Sequence, residues 1–446
     1  MSVFQAGASA ANITPRKSLF LCGYPNVERI STGIHDPLLS AALFLEDGRT
    51  RVLLIANDIL YISKALAARV RRRLARRTGV PEDRILVSAT HTHSGPLPVD
   101  RPHRRAGTSA PAPDPEYMAA LEEGIVRAGL EAFRNARPAE AGLAVADATG
   151  VGTNRRDPAG PSDLRVPVLS IRDAASHAPL ALMTVCCMHP TVLHEDSTRI
   201  SADFPGLMRQ YLQRQVVGTG CPVLYHSGPA GNQSPRHVTR GNTFAEAERL
   251  GILLGRAVEQ ALAGIVHRTD IDLAAGSAGV DLPRQVFPAP AEAEERERAA
   301  LERLETMRRT GEPRTTVRTA ECDWFGTSAR TVLARAAADG RLTDAAAQCL
   351  PAEIQVIRIG PWTFVAWPGE VFIEFELEIA RAFPDTFVVA YANGELDGYL
   401  VTAEAAAEGG YEASLGIFRS PDSGARLVSE TRALLQDHRS QITDCR

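Results

Sequence analysis

Short apolar runs alternate with longer stretches of helical periodicity along most of the chain. The run "AALFLED" followed by "GRTRVLLIAND" predicts two strands joined by a tight turn at Asp47-Gly48. "SKALAARVRRRLARRTGV" predicts a helix, with Ser63 as N-cap and Gly79 as its stop. "DRILVSATH" is the next buried strand. Residues 98–115, rich in Pro, Ala and charge, are expected to form an exposed loop. "EYMAALEEGIVRAGLEAFRNA" and "FAEAERLGILLGRAVEQAL" read as amphipathic helices, and the charge-rich 290–309 as a surface helix. "VPVLSIRD", "LALMTVCCMHP" and "GCPVLYHSG" read as strands, the last running into the loop "PAGNQSP". "AEIQVIRIGPWTFVAWPGE" is a hairpin turning at Gly360-Pro361, and "TFVVAYANGELDGYLVT" closes the core. Strand, helix, strand at this spacing indicates an α/β layered protein. With no internal repeat and no clear linker, one domain over residues 1–446 is expected.

Composition narrows the function classes. The chain has 446 residues, 44% hydrophobic and 23% charged, as a globular protein does. A net charge of −4 gives no electrostatic reason to expect nucleic acid or an anionic membrane as partner. The basic run Arg69–Arg77 has no interleaved aromatics for base stacking, and solvated helix faces carry such arginines. Lys17 and Lys64 are the only lysines. The seven cysteines show no CxxC pair, which argues for buried free thiols in a reducing compartment. No secretory signal is visible at the N-terminus, and no apolar stretch approaches the ~20 residues a membrane span needs. A cytoplasmic protein without stable membrane association is expected.

The polar residues that end the apolar runs carry the candidate chemistry. A hydrolytic zinc site takes about three ligands from His, Asp or Glu and keeps a position for water. His91 and His93, in "SATHTHSGP", would share a face if the strand continued through them. His189 follows the strand "LALMTVCCM", Glu370 follows "FVAWPG", and Tyr399 follows "FVVAYA". Each has a plain alternative: a hydrogen-bonded loop histidine, a carboxylate at the N-terminus of the helix "VFIEFELEIARAF", a core tyrosine. The pattern His-x-His-x-Asp-His of metallo-β-lactamases is absent, because Ser94-Gly95-Pro96 follows the pair. No bridging lysine fits an amidohydrolase barrel. Walker A, Rossmann and nucleophile-elbow patterns are also missing.

Taken in order, these pieces resemble the catalytic domain of the neutral/alkaline non-lysosomal ceramidases. The match runs through "ANITP", "CGY", "TGIHDPLLSAALFLED", "SATHTHSGP", "TNRRDP", "MHPTVL", "SADFPG", "GNQSP", "PGE" and "GYLVT…GGYEA". The resemblance implies layered mixed β-sheets flanked by helices in a single ceramidase-like catalytic domain. It implies His91, His189, Glu370 and Tyr399 as ligands of one zinc ion per chain. It also implies His93, Arg155 and Tyr411 as catalytic residues, with His93 moving the proton and Arg155 and Tyr411 facing the substrate carbonyl; the roles of His93 and Tyr411 could be exchanged. The pocket loop carries Asn232, Ser234 and Arg236. There the family's usual Gly-Asp-x-Ser-Pro-Asn is replaced, Asn232 standing for aspartate and Arg236 for asparagine. Secreted ceramidases continue into an immunoglobulin-like domain beyond the point where this chain ends.

The expected function is therefore zinc-dependent hydrolysis of a linear amide by a metal-activated water. The substrate is expected to be a small soluble metabolite and not ceramide. Arg155, Arg156 and Arg236 would suit a carboxylate on it. The alternatives are a ceramidase acting on N-acyl sphingosine, a zinc-dependent esterase, lactonase or phosphoesterase, and a binding protein that kept the fold without turnover. Oligomeric state is not legible.

Overall fold

Three parallel strand pairs, each bridged by a helix, set the architecture. The computed structural model describes residues 4–24, 27–105, 110–418 and 421–443. Eight strands are β1 (Gln5–Asn12), β2 (Leu39–Glu46), β3 (Arg51–Asn57), β4 (Ile85–Ala89), β5 (Arg137–Asp147), β6 (Arg165–Asp173), β7 (Pro179–Cys186) and β8 (Val223–Ser227). They pair in the order β8-β7-β6-β5-β1-β2-β3-β4. The two halves of this sheet are joined along one short edge, where Gln5 pairs with Pro138 and Ala6 with Arg137. A further sheet runs β9 (Leu273–Val280), β10 (Ala352–Ile359), β11 (Trp362–Ala366) and β12 (Thr386–Val389). Neighbours are antiparallel except β3/β4, β7/β8 and β11/β12. The bridging helices are α1 (Lys64–Thr78) between β3 and β4, α3 (Asp203–Leu212) between β7 and β8, and α7 (Ile373–Ala382) between β11 and β12. The other helices used below are α2 (Pro115–Arg134), α4 (Phe244–Leu262), α5 (Pro290–Thr310), α6 (Arg314–Ala338) and α8 (Pro421–Thr443).

The two half-sheets and the smaller sheet share one inner core. Leu43, Leu54 and Leu86 from the first half meet Ile171, Met183 and Leu224 from the second and Ile357, Phe364 and Val389 from the third. Each sheet also carries helices on its outer face. Phe44, Leu53 and Ile55 pack on Val70 and Leu74 of α1 and Leu121 and Ile125 of α2. Val168, Leu182 and Tyr225 pack on α3 and α4, and Ile354, Val356 and Val388 on α6, α7 and α8. Strands covered on both faces read as continuous apolar runs, which is why "RVLLIAN" lacks alternation. Truncating a side chain such as Leu54 to alanine in that core costs about 2–5 kcal/mol.

Several local expectations hold. The Ser63 side chain accepts the Leu66 N–H at 3.2 Å, and Gly79 caps α1 at φ +70°, a left-handed geometry that glycine adopts without strain. The Asp47-Gly48 and Gly360-Pro361 turns lie between β2 and β3 and between β10 and β11. Helix α5 is exposed along most of its length. Three of the six arginines of α1 are ion-paired within the molecule. Arg69 and Arg73 bond Glu122 and Glu123 of α2, and buried Arg71 makes a two-pronged bond to Glu353 at 2.7 and 2.9 Å.

Other expectations are corrected. The stretch 98–115 is not simply an exposed loop. Pro98, Val99 and His103 are buried, Pro102–Arg105 form a helical turn, and Arg101 pairs with Glu395 and Asp397. Residues 106–109 of that stretch lie outside the described residues. Strands β1, β5 and β9 and helices α3, α6 and α8 were not predicted. "QAGASAAN" and "LAAGSAGV" are built of small residues, with too little apolar contrast to mark a strand. α6 has apolar residues all round its length and so no clear face.

Candidate metal centre

The candidate residues lie past the carboxyl ends of the parallel strands, one set from each sheet. His91 follows β4, His189 follows β7, Glu370 follows β11 and Tyr399 follows β12. The segment Ala390–Asn393 ties these ends together. Ala390 N–H donates to the Ser227 carbonyl, Ala89 N–H to that of Tyr391, and Asn393 N–H to that of Val87. Glu370 and Tyr399 are directly paired in two short parallel strands, Glu370–Val371 and Tyr399–Leu400.

β4 ends at Ala89, so the histidine pair is not on a strand face. His91 instead sits in left-handed backbone, φ +66°. A non-glycine residue there costs on the order of 1–3 kcal/mol. Its N–H bond to the Ile59 carbonyl at 3.0 Å and the stacking of Tyr391 on its ring, centroids 4.0 Å apart, hold it in place. The turn brings His93 Nε2 back to 3.2 Å from His91 Nε2.

Hydrogen bonds on the far side of each ring decide which nitrogen faces the centre. His91 Nδ1 lies 2.8 Å from the Leu60 carbonyl oxygen and His189 Nδ1 2.6 Å from that of Ala230. A carbonyl accepts only, so both Nδ1 atoms carry the proton and both Nε2 atoms offer lone pairs. Those lone pairs meet at 3.0 Å with no proton between them. Glu370 Oε2 is 3.4 Å from each Nε2 and has no hydrogen-bond partner, although Glu370 is buried. Its other oxygen accepts from the Tyr61 hydroxyl. Two lone pairs and an orphaned carboxylate oxygen converging in a buried space are what a bound cation resolves. The donor set, two imidazoles and a carboxylate, fits zinc. His91, His93 and His189 form a cluster of metal-binding type, their ligand atoms all within 4.8 Å.

His93 differs from the other two. Its Nδ1 is buried without a partner, and its Nε2 faces the His91 Nε2 lone pair at 3.2 Å. Burial, with His91 and His189 beside it, holds its pKa well below the ordinary histidine range. Burial likewise pushes His189 down to about 4, Arg155 and His91 adding to it. Burial acts to raise the Glu370 carboxyl, but His91 and His189 outweigh it and hold the group well below the usual carboxylate range. Gly23 touches the His93 ring edge-on. A Cβ there would come within 2.7 Å of His93 Cγ. Arg29 donates to the His93 carbonyl at 2.6 Å and to the Cys22 carbonyl at 2.8 Å, fixing the loop from beneath.

The remaining predicted residues divide. Arg155 reaches the centre: Nη2 donates to the Tyr399 hydroxyl at 3.1 Å, and Nε to Glu412 at 2.7 Å. Tyr411 opens a short helical turn and lines the cavity beside Tyr399. Ser234 and Arg236 line a second cavity with Arg155. Asn232 lies apart. Its amide nitrogen bonds both Glu374 oxygens, and its side-chain oxygen accepts the Ile373 N–H at the start of α7. Asn232, not Glu370, thus serves that helix start. Arg156 is also directed away, bonded to Glu408, Glu412 and the Gly409 carbonyl. Sequence reasoning missed Tyr61, Tyr24, Arg29 and Arg101. Tyr61 and Tyr24 are single aromatic residues in loops, with no spacing signal to separate them from core.

Residues 4–221 match the family model described as "Neutral/alkaline non-lysosomal ceramidase, N-terminal". The neutral ceramidase of Mycobacterium tuberculosis is 26% identical over 234 residues, covering 48% of this chain and 37% of that protein. Neutral ceramidase B of Dictyostelium discoideum is 26% identical over 266 residues, 54% of this chain and 36% of its own. The matched region thus spans little more than a third of these relatives. The crystal structure of neutral ceramidase from Pseudomonas aeruginosa superposes with a TM-score of 0.75 at 20% identity, over 98% of this chain and 75% of that one. A ceramidase complexed with C2 gives 0.71 at 18% identity, over 96% and 74%. Likeness at that identity establishes the fold, layered α/β as the sequence implied. Family model, curated relatives and shared fold agree: the chain is similar to the neutral/alkaline non-lysosomal ceramidases, over residues 4–221 in sequence and over 98% of its length in fold.

Proposed function

We propose that this chain is a zinc-dependent hydrolase that cleaves a linear amide. The observation that carries the reading is the pair of Nε2 lone pairs of His91 and His189, 3.0 Å apart, facing the orphaned Glu370 oxygen. These three residues, with the Tyr399 hydroxyl beside them, would hold the metal. When bound, zinc supplies Lewis acidity and brings the pKa of water towards ~7. His93 has a buried Nδ1 without a partner, and it would pass a proton to the leaving nitrogen. Arg155 and Tyr411 would donate to the carbonyl oxygen as negative charge develops there. Glu412 orients the Arg155 guanidinium by accepting from Nε. A ceramide-type amide is the second reading, favoured by an apolar cavity of about 200 Å³ beside His93 and Glu370.

Metal analysis on purified wild type, His91→Ala and Glu370→Ala tests this, alongside hydrolysis of an amide panel. About one zinc per chain in the wild type, lost with amide turnover in both variants, is expected. A wild type that takes up no zinc when it is supplied would overturn the reading.

A further inference from the structure

Two cavities meet at the candidate centre, and their linings differ in kind. The larger, about 200 Å³, runs past Phe20, Leu60, Leu97, Val99, Val332 and Leu415. The smaller, about 50 Å³, is lined by Arg155, Arg236, Arg318, Ser234 and Thr191. They share His93, Tyr24, Tyr399 and Tyr411, so the candidate centre stands at their junction. Three guanidinium groups line the small arm, and no Asp or Glu does. Arg155 is balanced by Glu412, and Arg318 by Glu195 and Glu321. Arg236 makes no such close pair; Glu412 and Asp323 act on it only at longer range. Its side chain bonds only Cys322 Sγ at 3.5 Å, and among the described residues no carboxylate lies within ion-pair distance of it. Arg318 adds a buried Nε without a partner. A compact cationic pocket with an uncommitted guanidinium favours a small planar anion, above all a carboxylate.

Resting on the amide-hydrolase reading, we infer that the substrate is an N-acyl amino acid, its acyl chain in the apolar arm and its carboxylate against Arg236. An amide placed at the junction sends its acyl side one way and its amine side the other. In an α-amino acid the carboxylate is one carbon from the amide nitrogen, a reach that suits a small arm. A sphingoid amine would instead press a neutral, alkyl-bearing chain against Arg236 and Arg318 and leave them unpaired. Hydrolysis balances with water alone. The C–N bond breaks, the acyl carbon takes the hydroxyl group and the nitrogen takes the proton, giving a carboxylic acid and a free amino acid.

The test uses the zinc-supplemented full chain with two matched amides, N-octanoylglycine and N-octanoylethanolamine. Wild type should favour the carboxylate by about 10- to 100-fold in kcat/KM, the worth of a hydrogen bond to a charged group. That ratio should fall about tenfold or more in Arg236→Met and recover in part in Arg236→Lys, with thermal melts showing that both variants fold. A wild-type ratio at or below one, or a ratio that survives in folded Arg236→Met, overturns the inference while leaving an amide hydrolase standing. Turnover of neither amide, with esters cleaved, overturns the amide reading and this inference together.

Discussion

Replacing Tyr61 by phenylalanine isolates one contact to the proposed metal ligand set. The Tyr61 hydroxyl donates to Glu370 Oε1, while Oε2 is the oxygen that faces His91 and His189. The ring itself packs edge-on to His91 at 5.1 Å and under the Arg101 guanidinium at 4.5 Å. Phenylalanine keeps both ring contacts and removes only the hydroxyl. A hydrogen bond to a charged group contributes about 1.5–3 kcal/mol. At about 1.4 kcal/mol per decade, this is a loss of roughly 10- to 100-fold in zinc affinity. The independent expectation for removing a partner of a ligating carboxylate is also about 10–100-fold. Competition against a chromogenic chelator measures it directly. Zinc affinity within about twofold of wild type, under 0.5 kcal/mol, would mean that Glu370 either is not a ligand or is held without Tyr61.

The other predictions test separate links. Gly23→Ala should displace His93, because the new Cβ would fall 2.7 Å from its ring and Gly23 sits at φ +115°. A displacement of about 1 Å costs on the order of 100-fold in turnover, while zinc content stays at the wild-type level. Loss of zinc as well would make His93 a ligand. Glu376 is buried against the Cys187 thiol, which donates to it at 2.9 Å. Burial, with Asp163 adding, pushes its carboxyl up to about 8. In the unfolded chain the group ionises at an ordinary pKa, so the folded state binds more protons between roughly pH 4.5 and 8. Its contribution is therefore full below that window and lost as pH rises through it. Glu376→Gln should leave Tm near wild type at pH 5 and raise it relative to wild type at pH 8, read by thermal melts at the two values. An equal shift at both would refute the assignment.

The parts of the fold legible in the sequence are those where burial on both sides writes a long apolar run. β3, β4, β7 and β11 are of this kind, and so are the polar residues that follow them. His91, His189, Glu370 and Tyr399 could be picked out because each ends such a run. What could not be read is how the runs come together. β1 and β5 join the half-sheets through two residue pairs, Gln5 with Pro138 and Ala6 with Arg137, and nothing in "QAGASAAN" records that. The left-handed turn at His91 is equally silent in "SATHTHSGP", where a shared strand face suggested the pair and a turn brings the two rings together instead. Asn232 and Arg156 show the converse limit. Both belong to motifs that belong to the pocket, yet tertiary partners, Glu374 and Glu412, claim their side chains.

Because the proposed ligands follow strands of both halves of the large sheet and of the smaller sheet, a metal there would act as a staple across the fold. His91 belongs to the first half-sheet, His189 to the second and Glu370 to the third. Unfolding any one of them would scatter the ligand set, so binding energy would become folding energy. Free zinc at about 1,000 times its dissociation constant would add roughly 4.1 kcal/mol. An entropy of unfolding near 2.1 cal/mol/K per residue gives about 0.9 kcal/mol/K for 446 residues. If the chain melts as one cooperative unit, zinc added back to the chelator-stripped protein should therefore raise Tm by about 4 °C. Glu370→Ala should lose most of that response, since it removes the carboxylate supplied from the smaller sheet and leaves only the Tyr399 hydroxyl from that side. A melt that zinc does not move, in protein shown to bind it, would place the metal at a site carried by one sheet alone. That result would separate the chemistry of the centre from the junction of the three sheets.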